Sequence, residues 1–218
     1  AERFAASKII RSEKFQLKTA IVRENGALSV EKTALTEAGA GHMGSFWEKY
    51  QMIREQNPRI RFLEPEFKDG GKTVCFRYLE GETLADALAD RIHMGQIPYE
   101  ELEQVMALVF PEDFSVDGGH FSIKEQTGGP FAPSQGFTEV FGPVPEGLEE
   151  LGRLTAAPNV DGLFENLMIS DGHVYGIDYE WVFDMEIPAR FLHYRNLLYF
   201  YRRCEALVSS AQEELFSH

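Results

Sequence analysis

Apolar and polar residues alternate along the segment from Phe15 to Leu35, which contains two such runs joined by Asn25-Gly26. An Asn-Gly pair between alternating runs is the strongest short-range signal for a β-hairpin, because its turn needs two residues with positive φ. On the second strand, Lys32 has the same parity as the two apolar residues before it, so it is predicted to face the buried side. A buried lysine requires a structural or functional explanation.

The next segments predict a helix and a second hairpin. Residues 46–56, FWEKYQMIREQ, carry apolar residues at helical spacing, and Asn57-Pro58 stops the pattern. Residues 60–67 and the run KTVCFRY, rich in β-branched and aromatic residues, flank a turn at Asp69-Gly70-Gly71. The first third of the chain is therefore predicted to be a small sheet with one helix.

The remainder is predicted to be mainly helical. Residues 78–93 and Tyr99 to Val109 predict two helices, the first with Gly81 in its N-cap region. Two short apolar runs around Asp171-Gly172 predict a third hairpin. Residues 110–147 are rich in Gly, Pro and Phe without periodicity, which is typical of a functional or mobile loop.

The tail from Ile187 onward predicts an apolar, aromatic helix with Pro188 in its first turn. Its helical spacing assigns the Tyr and Arg residues to packing and surface pairing, and no site is predicted there. These residues are Tyr194, Arg195, Tyr199, Tyr201, Arg202 and Arg203.

The amino-acid composition limits the classes of binding partner. The 218 residues are 44% hydrophobic, enough to bury a core. The formal charge of −14 disfavours nucleic acid and anionic membrane surfaces, which bind clustered Lys and Arg. It does not exclude a nucleotide, because a divalent metal can lie between acidic side chains and phosphate oxygens.

The cysteine content and the hydropathy of the sequence indicate where in the cell the protein is expected. Cys75 and Cys204 lie far apart in the sequence and neither belongs to a CxxC pair, which predicts no disulfide framework or zinc site and a reducing, cytoplasmic setting. No apolar run approaches the roughly 18 residues that span a bilayer, so membrane insertion is not expected. The start at Ala1 lacks a methionine and a signal-peptide pattern, so we expect a piece of a longer polypeptide.

Two acidic motifs flank the third hairpin. D-G-L-F-E-N, residues 161–166, precedes it, and I-D-Y-E-W, residues 177–181, ends it. Each motif alone is weak, because Asp and Asn are common turn formers. The two motifs are separated by a fixed interval across the hairpin. Upstream of them, the predicted order is a hairpin with an inward lysine, a helix, a second hairpin, a linker and further helices. Together these features form one consistent pattern.

This pattern resembles the protein-kinase-like fold, in which D-x-x-x-x-N is the catalytic loop and a following Asp binds metal. It is most similar to small-molecule kinases of the aminoglycoside and choline kinase type, where an acid two residues after that Asp is common. The resemblance covers residues 15–205. It implies a two-lobed α+β fold: residues 1–80 as an N-terminal lobe of antiparallel sheet plus one helix, and residues 81–218 as a mainly helical C-terminal lobe.

The resemblance also implies an ATP-dependent phosphotransferase that uses Mg²⁺ and acts on a hydroxyl of a sugar, a glycan or a small polar metabolite. Asp161 would orient or deprotonate the acceptor. Asp178 and Asn166 would hold magnesium, with Glu180 as a further acidic ligand. Phosphoryl transfer needs this combination of metal ligands and a carboxylate beside the attacking hydroxyl.

On the nucleotide side, Lys32 resembles the strand lysine that contacts the phosphates. Glu48 on the following helix resembles the acid that pairs with that lysine, and Glu37 is the rival partner. By family position, adenine is expected against the linker backbone of Tyr78, Leu79 and Glu80.

Two features depart from the family. No G-x-G-x-x-G precedes the first hairpin, where residues 9–15 are IIRSEKF, and Asn159-Val160 replaces the usual His and its neighbour before the catalytic Asp. The alternative hypothesis is therefore a pseudokinase that serves as a nucleotide-binding or docking module. The segments NVDGLFENLMI and IDYEWVFDMEIP also resemble kinase-like domains of bacterial surface-polysaccharide proteins, where fusion to glycosyltransferase or methyltransferase domains is expected.

Overall fold

The computed structural model describes residues 2–8, 12–96, 98–124, 131–144 and 152–205, with residues 2–8 described by their backbone. The strands are β1 Glu2–Lys8, β2 Leu17–Glu24, β3 Ala27–Ala34, β4 Ile60–Phe62, β5 Glu66–Lys68, β6 Thr73–Arg77, β7 Glu82–Thr83, β8 Phe114–Asp117, β9 His120–Ile123, β10 Leu154–Thr155, β11 Leu167–Ser170, β12 His173–Gly176 and β13 Ile187–Pro188. The helices are α1 Ala40–Gly44, α2 Phe46–Ile53, α3 Leu84–His93, α4 Tyr99–Val109, α5 Gln135–Phe141 and α6 Ala189–Glu205. The class is mixed α+β with small antiparallel sheets.

The chain divides into two compact units. The first contains the chain up to Gln56 together with Arg61–Glu80. The second contains the short segment Asn57–Ile60 and the chain from Gly81 onward.

The first unit is built on a five-stranded antiparallel sheet of order β1-β2-β3-β6-β5. The predicted β2–β3 hairpin is confirmed, with Asn25 at φ 49° and Gly26 at φ 87° in its turn. The second predicted hairpin is confirmed for β5 and β6. Its first strand was predicted too long, because residues 60–67 divide into β4 and β5, and β4 belongs to a different sheet.

Helices α1 and α2 supply the apolar side of the first unit. Helix α2 is the predicted helix, and it buries Phe46 and Ile53, with the Phe46 ring 5.9 Å from that of Phe76 on β6. Helix α1 lies in a small-residue stretch for which the sequence predicted no element. The preceding turn is held by Thr36, whose hydroxyl accepts a hydrogen bond from the Gly39 N–H at 3.1 Å.

In the second unit, α3 and α4 lie where they were predicted. The N-cap of α3 is Thr83, whose hydroxyl accepts a hydrogen bond from Asp86 N–H at 3.0 Å, and not Gly81. Gly81 has a packing role instead. A Cβ at this position would collide with the carbonyl oxygen of Ile169 on β11, so glycine permits β7 to pair closely with β11.

The sheet that carries the candidate site has the order β4-β12-β11-β7. The predicted third hairpin is confirmed as β11 and β12, with Asp171 at φ 48° and Gly172 at φ 71° in its turn. Residues 167 and 176 form its open end, next to both acidic motifs.

The prediction of a loop without periodic structure over residues 110–147 is wrong in part. The strands β8 and β9 form a hairpin around Gly118 and Gly119, which both have positive φ, and α5 follows. Four-residue strands and a seven-residue helix are too short to produce a clear periodic signal. Residues 125–130 and 145–147 of this segment lie outside the described residues.

Helix α6 confirms the predicted tail helix, although Pro188 belongs to β13 and the helix begins one residue later. The predicted continuation beyond residue 205 lies outside the described residues. Both cysteines are free and buried, and burial raises the pKa of the Cys204 thiol to about 11. Over the described part of the chain, no helix combines the length and apolar character that a bilayer crossing requires.

Candidate functional site

The first acidic motif forms a tight loop that ends in a 3₁₀ turn, Phe164–Asn166. The Asn166 side-chain amide donates to the carbonyl oxygen of Asp161 at 2.9 Å, and the Asn166 backbone accepts from Ile177 N–H at 2.9 Å. The first bond joins the two ends of the motif. Because the amide nitrogen is used for it, the Oδ1 atom is the end of the Asn166 side chain that can bind a cation.

Asn159 connects this loop to the second acidic motif. Its Oδ1 atom accepts from Asp161 N–H at 3.0 Å, and its Nδ2 atom donates to the Asp178 carbonyl at 3.4 Å. Residues 158–160 also run antiparallel to residues 181–183, with Val160 N–H bonded to Trp181 O at 3.1 Å. Asn159 was noted in the sequence as a departure from the kinase pattern, and here it is the link between the two motifs.

The second motif places Asp178 and Glu180 in different environments. Asp178 is half-buried and its Oδ1 atom accepts from the Glu180 N–H at 3.1 Å. The Glu180 side chain is 0% exposed. Its backbone therefore positions Asp178, whereas its own carboxylate lies in the interior, and its role as a metal ligand stays a prediction.

Helix α6 holds the first motif through two consecutive side chains. Asn196 accepts from Phe164 N–H at 3.0 Å and donates to Gly162 O at 3.1 Å. Arg195 donates through Nε to Val160 O at 2.7 Å, and its Nη2 atom lies 3.7 Å from Asp161 Oδ1. These bonds fix the backbone on both sides of Asp161.

The sequence pattern assigned Arg195 to packing or surface pairing and made no prediction for Asn196. A signal was present for the second, because Asn196 shares a helical face with Leu192 and Phe200, which are both buried. A polar side chain on an apolar face needs hydrogen-bond partners, so its position indicated a structural or functional contact. No comparable signal marks Arg195.

A second polar cluster, also missed, surrounds Asp113 after α4. Asp113 is 0% exposed and accepts from Arg153 at 2.7 and 2.6 Å and contacts His193 Nε2 at 3.0 Å. Burial by itself would raise the pKa of this carboxyl, but the hydrogen bonds from Arg153 and His193 hold it well below its usual range. The cluster is a fully bonded anchor between α4, β10 and α6.

In the first unit, Lys32 is 5% exposed, which confirms its predicted inward orientation. Its Nζ atom lies 5.9 Å from the centroid of the Phe46 ring. Lys49 on α2 is also buried, with Nζ 5.4 Å from the same ring. Two ammonium groups therefore flank one aromatic ring, a cation–π arrangement that the sequence predicted for neither lysine.

The structure does not bring Glu48 to Lys32. The buried face of α2 carries Phe46, Lys49 and Ile53, and Glu48 is exposed on the other side of the helix. Sequence position alone left the rotation of α2 undetermined. The rival acid, Glu37, is exposed and pairs with Lys72 at 2.5 Å.

The predicted adenine segment continues from β6. The Tyr78 N–H donates to Leu28 O at 3.3 Å, Leu79 is buried and Glu80 is exposed. Its role in nucleotide binding stays a prediction.

The donor set available for a metal is small. Across the described ranges, no group of three or more His, Cys, Asp and Glu side chains is arranged to hold a metal ion. The Asn166 amide oxygen and the Asp178 carboxylate are hard oxygen ligands on two connected loops. They fit Mg²⁺, which typically takes one or two carboxylates and completes its coordination with water and phosphate oxygens.

No family model matches the chain, and no curated protein matches it. Among solved structures, the apoenzyme of macrolide 2'-phosphotransferase MphH from Brachybacterium faecium matches with 12% sequence identity and a TM-score of 0.39. The match covers 97% of this chain and 74% of that one.

Proposed function

We propose that this chain is a protein-kinase-like, ATP-dependent phosphotransferase that acts on a hydroxyl of a sugar, a glycan or a small polar metabolite. The observation that carries the proposal is the hydrogen-bonded connection of Asp161, Asn166 and Asp178 through Asn159. These bonds join the backbones of the two acidic motifs, and this supports the proposal because phosphoryl transfer requires a carboxylate near two oxygen ligands for a metal ion.

In this proposal, Asp161 accepts the proton of the acceptor hydroxyl or orients it. Its carboxylate is 15% exposed, and its backbone is held on both sides, by Asn159 through the N–H and by Asn166 through the carbonyl. A carboxylate fixed in this way is oriented before the substrate binds, which reduces the cost of reaching the reactive geometry.

Asn166 and Asp178 would hold Mg²⁺, with Glu180 as the third oxygen ligand. A bound magnesium ion would supply positive charge to neutralise the phosphate groups. The Glu180 N–H bond to Asp178 and the Asn166 bond to Asp161 O restrict both ligand side chains to defined rotamers.

On the nucleotide side, we assign Lys32 to the phosphates and the backbone of residues 78–80 to adenine. The inward orientation of Lys32 on β3, where it is 5% exposed, supports the first assignment. The exposed position of Glu48 removes it from the proposed site.

The acceptor side would be shaped by aromatic residues of the 110–147 segment. The ring centroids of Phe137 and Phe141 on α5 lie 4.9 Å apart, and that of Phe141 lies 5.7 Å from Phe183. Phe137 and Phe183 pack against a core cluster that contains Val160, the residue before Asp161. This apolar wall suits the flat face of a sugar ring better than an extended peptide.

The test is magnesium-dependent ATP turnover by the purified chain. We expect slow turnover that requires Mg²⁺, and Asp161→Asn should lower it by roughly 10²–10⁴-fold without changing ATP binding. Asp171→Asn, in the exposed turn of the hairpin, is the matched control and should leave turnover unchanged. Equal turnover in the wild type and in Asp161→Asn would contradict the proposal.

The second candidate is a pseudokinase that binds nucleotide as a docking or sensing module of a polysaccharide-assembly protein. The observation that favours it is the absence of glycine from residues 9–15, which leaves the phosphates without a flexible backbone cradle. Calorimetric binding of Mg·ATP without any turnover, in the wild type and in Asp161→Asn alike, would select this candidate.

A further inference from the structure

We propose that Arg195 contacts the phosphoryl group during its transfer beside Asp161. The inference rests on the proposed phosphotransferase function and deepens it. It concerns a residue on α6 that lies outside both acidic motifs.

The guanidinium of Arg195 is held in place on one side. Its Nε atom donates to Val160 O at 2.7 Å, and its Nη1 atom approaches the Tyr199 hydroxyl at 3.4 Å. The guanidinium carbon lies 4.6 Å from the centroid of the Tyr199 ring. Stacking and two polar contacts therefore restrict the orientation of the side chain.

The other side of the guanidinium faces the Asp161 carboxylate. Nη2 is 3.7 Å from Oδ1, which is close enough for an ion pair and too long for a hydrogen bond. A guanidinium has five N–H donors. Among the described residues, the recorded hydrogen bonds of Arg195 go to Val160 and Tyr199 and use Nε and Nη1, so the Nη2 donors retain capacity.

This position coincides with the place where charge must be stabilised. An acceptor hydroxyl bonded to Asp161 lies within about 2.6–3.2 Å of its carboxylate, and the phosphoryl group approaches that hydroxyl oxygen in line. A donor 3.7 Å from the same carboxylate oxygen is within reach of the equatorial oxygens of the phosphoryl group. A cation there stabilises the negative charge that these oxygens carry.

Bonds, electrons and protons balance in the proposed transfer step. The acceptor oxygen forms a bond to the γ-phosphorus, and the bond from that phosphorus to the bridging oxygen of ATP breaks, so ADP leaves with the electron pair. The acceptor proton passes to Asp161. Arg195 neither gains nor loses a proton, and its contribution is electrostatic.

The charge of the chain and its first segment are consistent with a need for a cation at this position. The formal net charge is −14, and the segment before the first hairpin has no glycine cradle that would offer backbone N–H groups. A fixed guanidinium next to Asp161 would supply part of the missing stabilisation.

The experiment compares Arg195→Gln, Arg195→Lys and Arg202→Gln, with Mg·ATP hydrolysis as the activity. Arg202 is exposed on the same helix, so its variant removes an equal charge from α6 and serves as the control. Arg195→Gln should lower kcat by roughly 10²–10³-fold with less than about a threefold change in KM for ATP. Arg195→Lys should recover part of that loss, and Arg202→Gln should stay within about twofold of the wild type.

A second readout separates phosphoryl contact from a structural role. Mg·ADP with aluminium fluoride mimics the phosphoryl group in transfer, and the wild type should bind the mixture more tightly than Mg·ADP alone. Arg195→Gln should lose roughly 100-fold of that preference and keep its affinity for Mg·ADP. If Arg195→Gln fails to fold, Arg195→Lys decides by the same two measurements.

The outcomes are distinct. A wild type that turns over ATP while Arg195→Gln behaves like Arg202→Gln overturns the role of Arg195 and leaves the proposed function intact. A parallel loss of Mg·ADP affinity and turnover shows a structural role and overturns the inference. A wild type without turnover overturns both.

Discussion

Two aspartate–arginine pairs of the second unit differ in burial and in the distance between their charged groups. Asp113 is 0% exposed, accepts two hydrogen bonds from Arg153 and contacts His193. Asp161 is 15% exposed and meets Arg195 at a single distance of 3.7 Å. The first pair has its bonding capacity filled by the protein. In the second pair, the carboxylate is partly exposed and the guanidinium lies farther from it than the Arg153 guanidinium lies from Asp113.

Both pairs depend on the same helix. His193 of α6 contacts Asp113, and Arg195, two residues later, contacts the loop of Asp161. A single α6 helix therefore anchors a structural cluster on one side and the candidate site on the other. The comparison separates a carboxylate that is fully buried in an ion pair from one that is partly exposed on a loop held by the same helix.

The largest expected loss of stability is that of the Asp113→Asn variant. The substitution keeps the shape of the side chain but removes the charge that Arg153 and His193 face, which leaves the partly buried Arg153 guanidinium without its charged partner. We expect a loss of about 3 kcal/mol in the free energy of unfolding, measured in urea, because Arg153 is 31% exposed and part of its charge is solvated. Asp161→Asn is the matched control and should cost less than about 1 kcal/mol. Equal losses at the two positions would remove the distinction.

The next effect is that of Asn196→Ala. The variant leaves the Phe164 N–H and the Gly162 carbonyl without their side-chain partner, so we expect a loss of about 1–3 kcal/mol of stability together with reduced turnover. Tyr194→Ala on the same helix removes a side chain that is 64% exposed and should change stability by less than about 0.5 kcal/mol. If Asn196→Ala changed neither stability nor turnover, α6 would not be holding the loop.

The stability difference between the wild type and Asp113→Asn should depend on pH. The pKa of Asp113 is lowered in the folded state, so the carboxylate contributes its stabilisation above the unfolded-state pKa and loses it as pH falls toward the folded-state value. Below pH of roughly 4, the difference should narrow by up to about 1.4 kcal/mol for each pH unit. Urea unfolding at several pH values measures it, and a difference independent of pH would contradict the assignment.

The smallest expected effect is that of Arg195→Gln on stability. The substitution removes a loose, partly exposed ion pair with Asp161 and one hydrogen bond to Val160 O, so the loss should be about 1 kcal/mol. Arg153→Gln should cost more, because it breaks both bonds to a buried carboxylate. A larger loss for Arg195→Gln than for Arg153→Gln would make Arg195 the structural residue of the two.

Much of the local structure was predictable from the sequence. The turns at Asn25-Gly26 and Asp171-Gly172, the helix Tyr99–Val109 and the inward side of Lys32 follow from positive-φ residues and from periods of two and 3.6. The link between Asp161 and Asn166 spans five residues, so the motif itself contains both partners.

The side chains that complete the site could not be predicted in the same way. Asn196 lies 32 positions from the Phe164 N–H that it accepts from, and His193 lies 80 positions from Asp113. The rotation of α2, which buries Lys49 and exposes Glu48, depends on how Phe46 packs against Phe76. No periodicity within a segment encodes these relations.

By itself, then, the sequence determined the short elements and the spacing of the acidic motifs, because backbone dihedral preferences and side-chain periodicity act over a few residues. The tertiary structure decided which polar side chains of α6 reach the loop of Asp161, how Arg195 is oriented beside that loop, and that the Asp113 carboxylate is fully buried. Those outcomes depend on packing between segments far apart in the chain, since burial and hydrogen bonding are satisfied only when the elements meet.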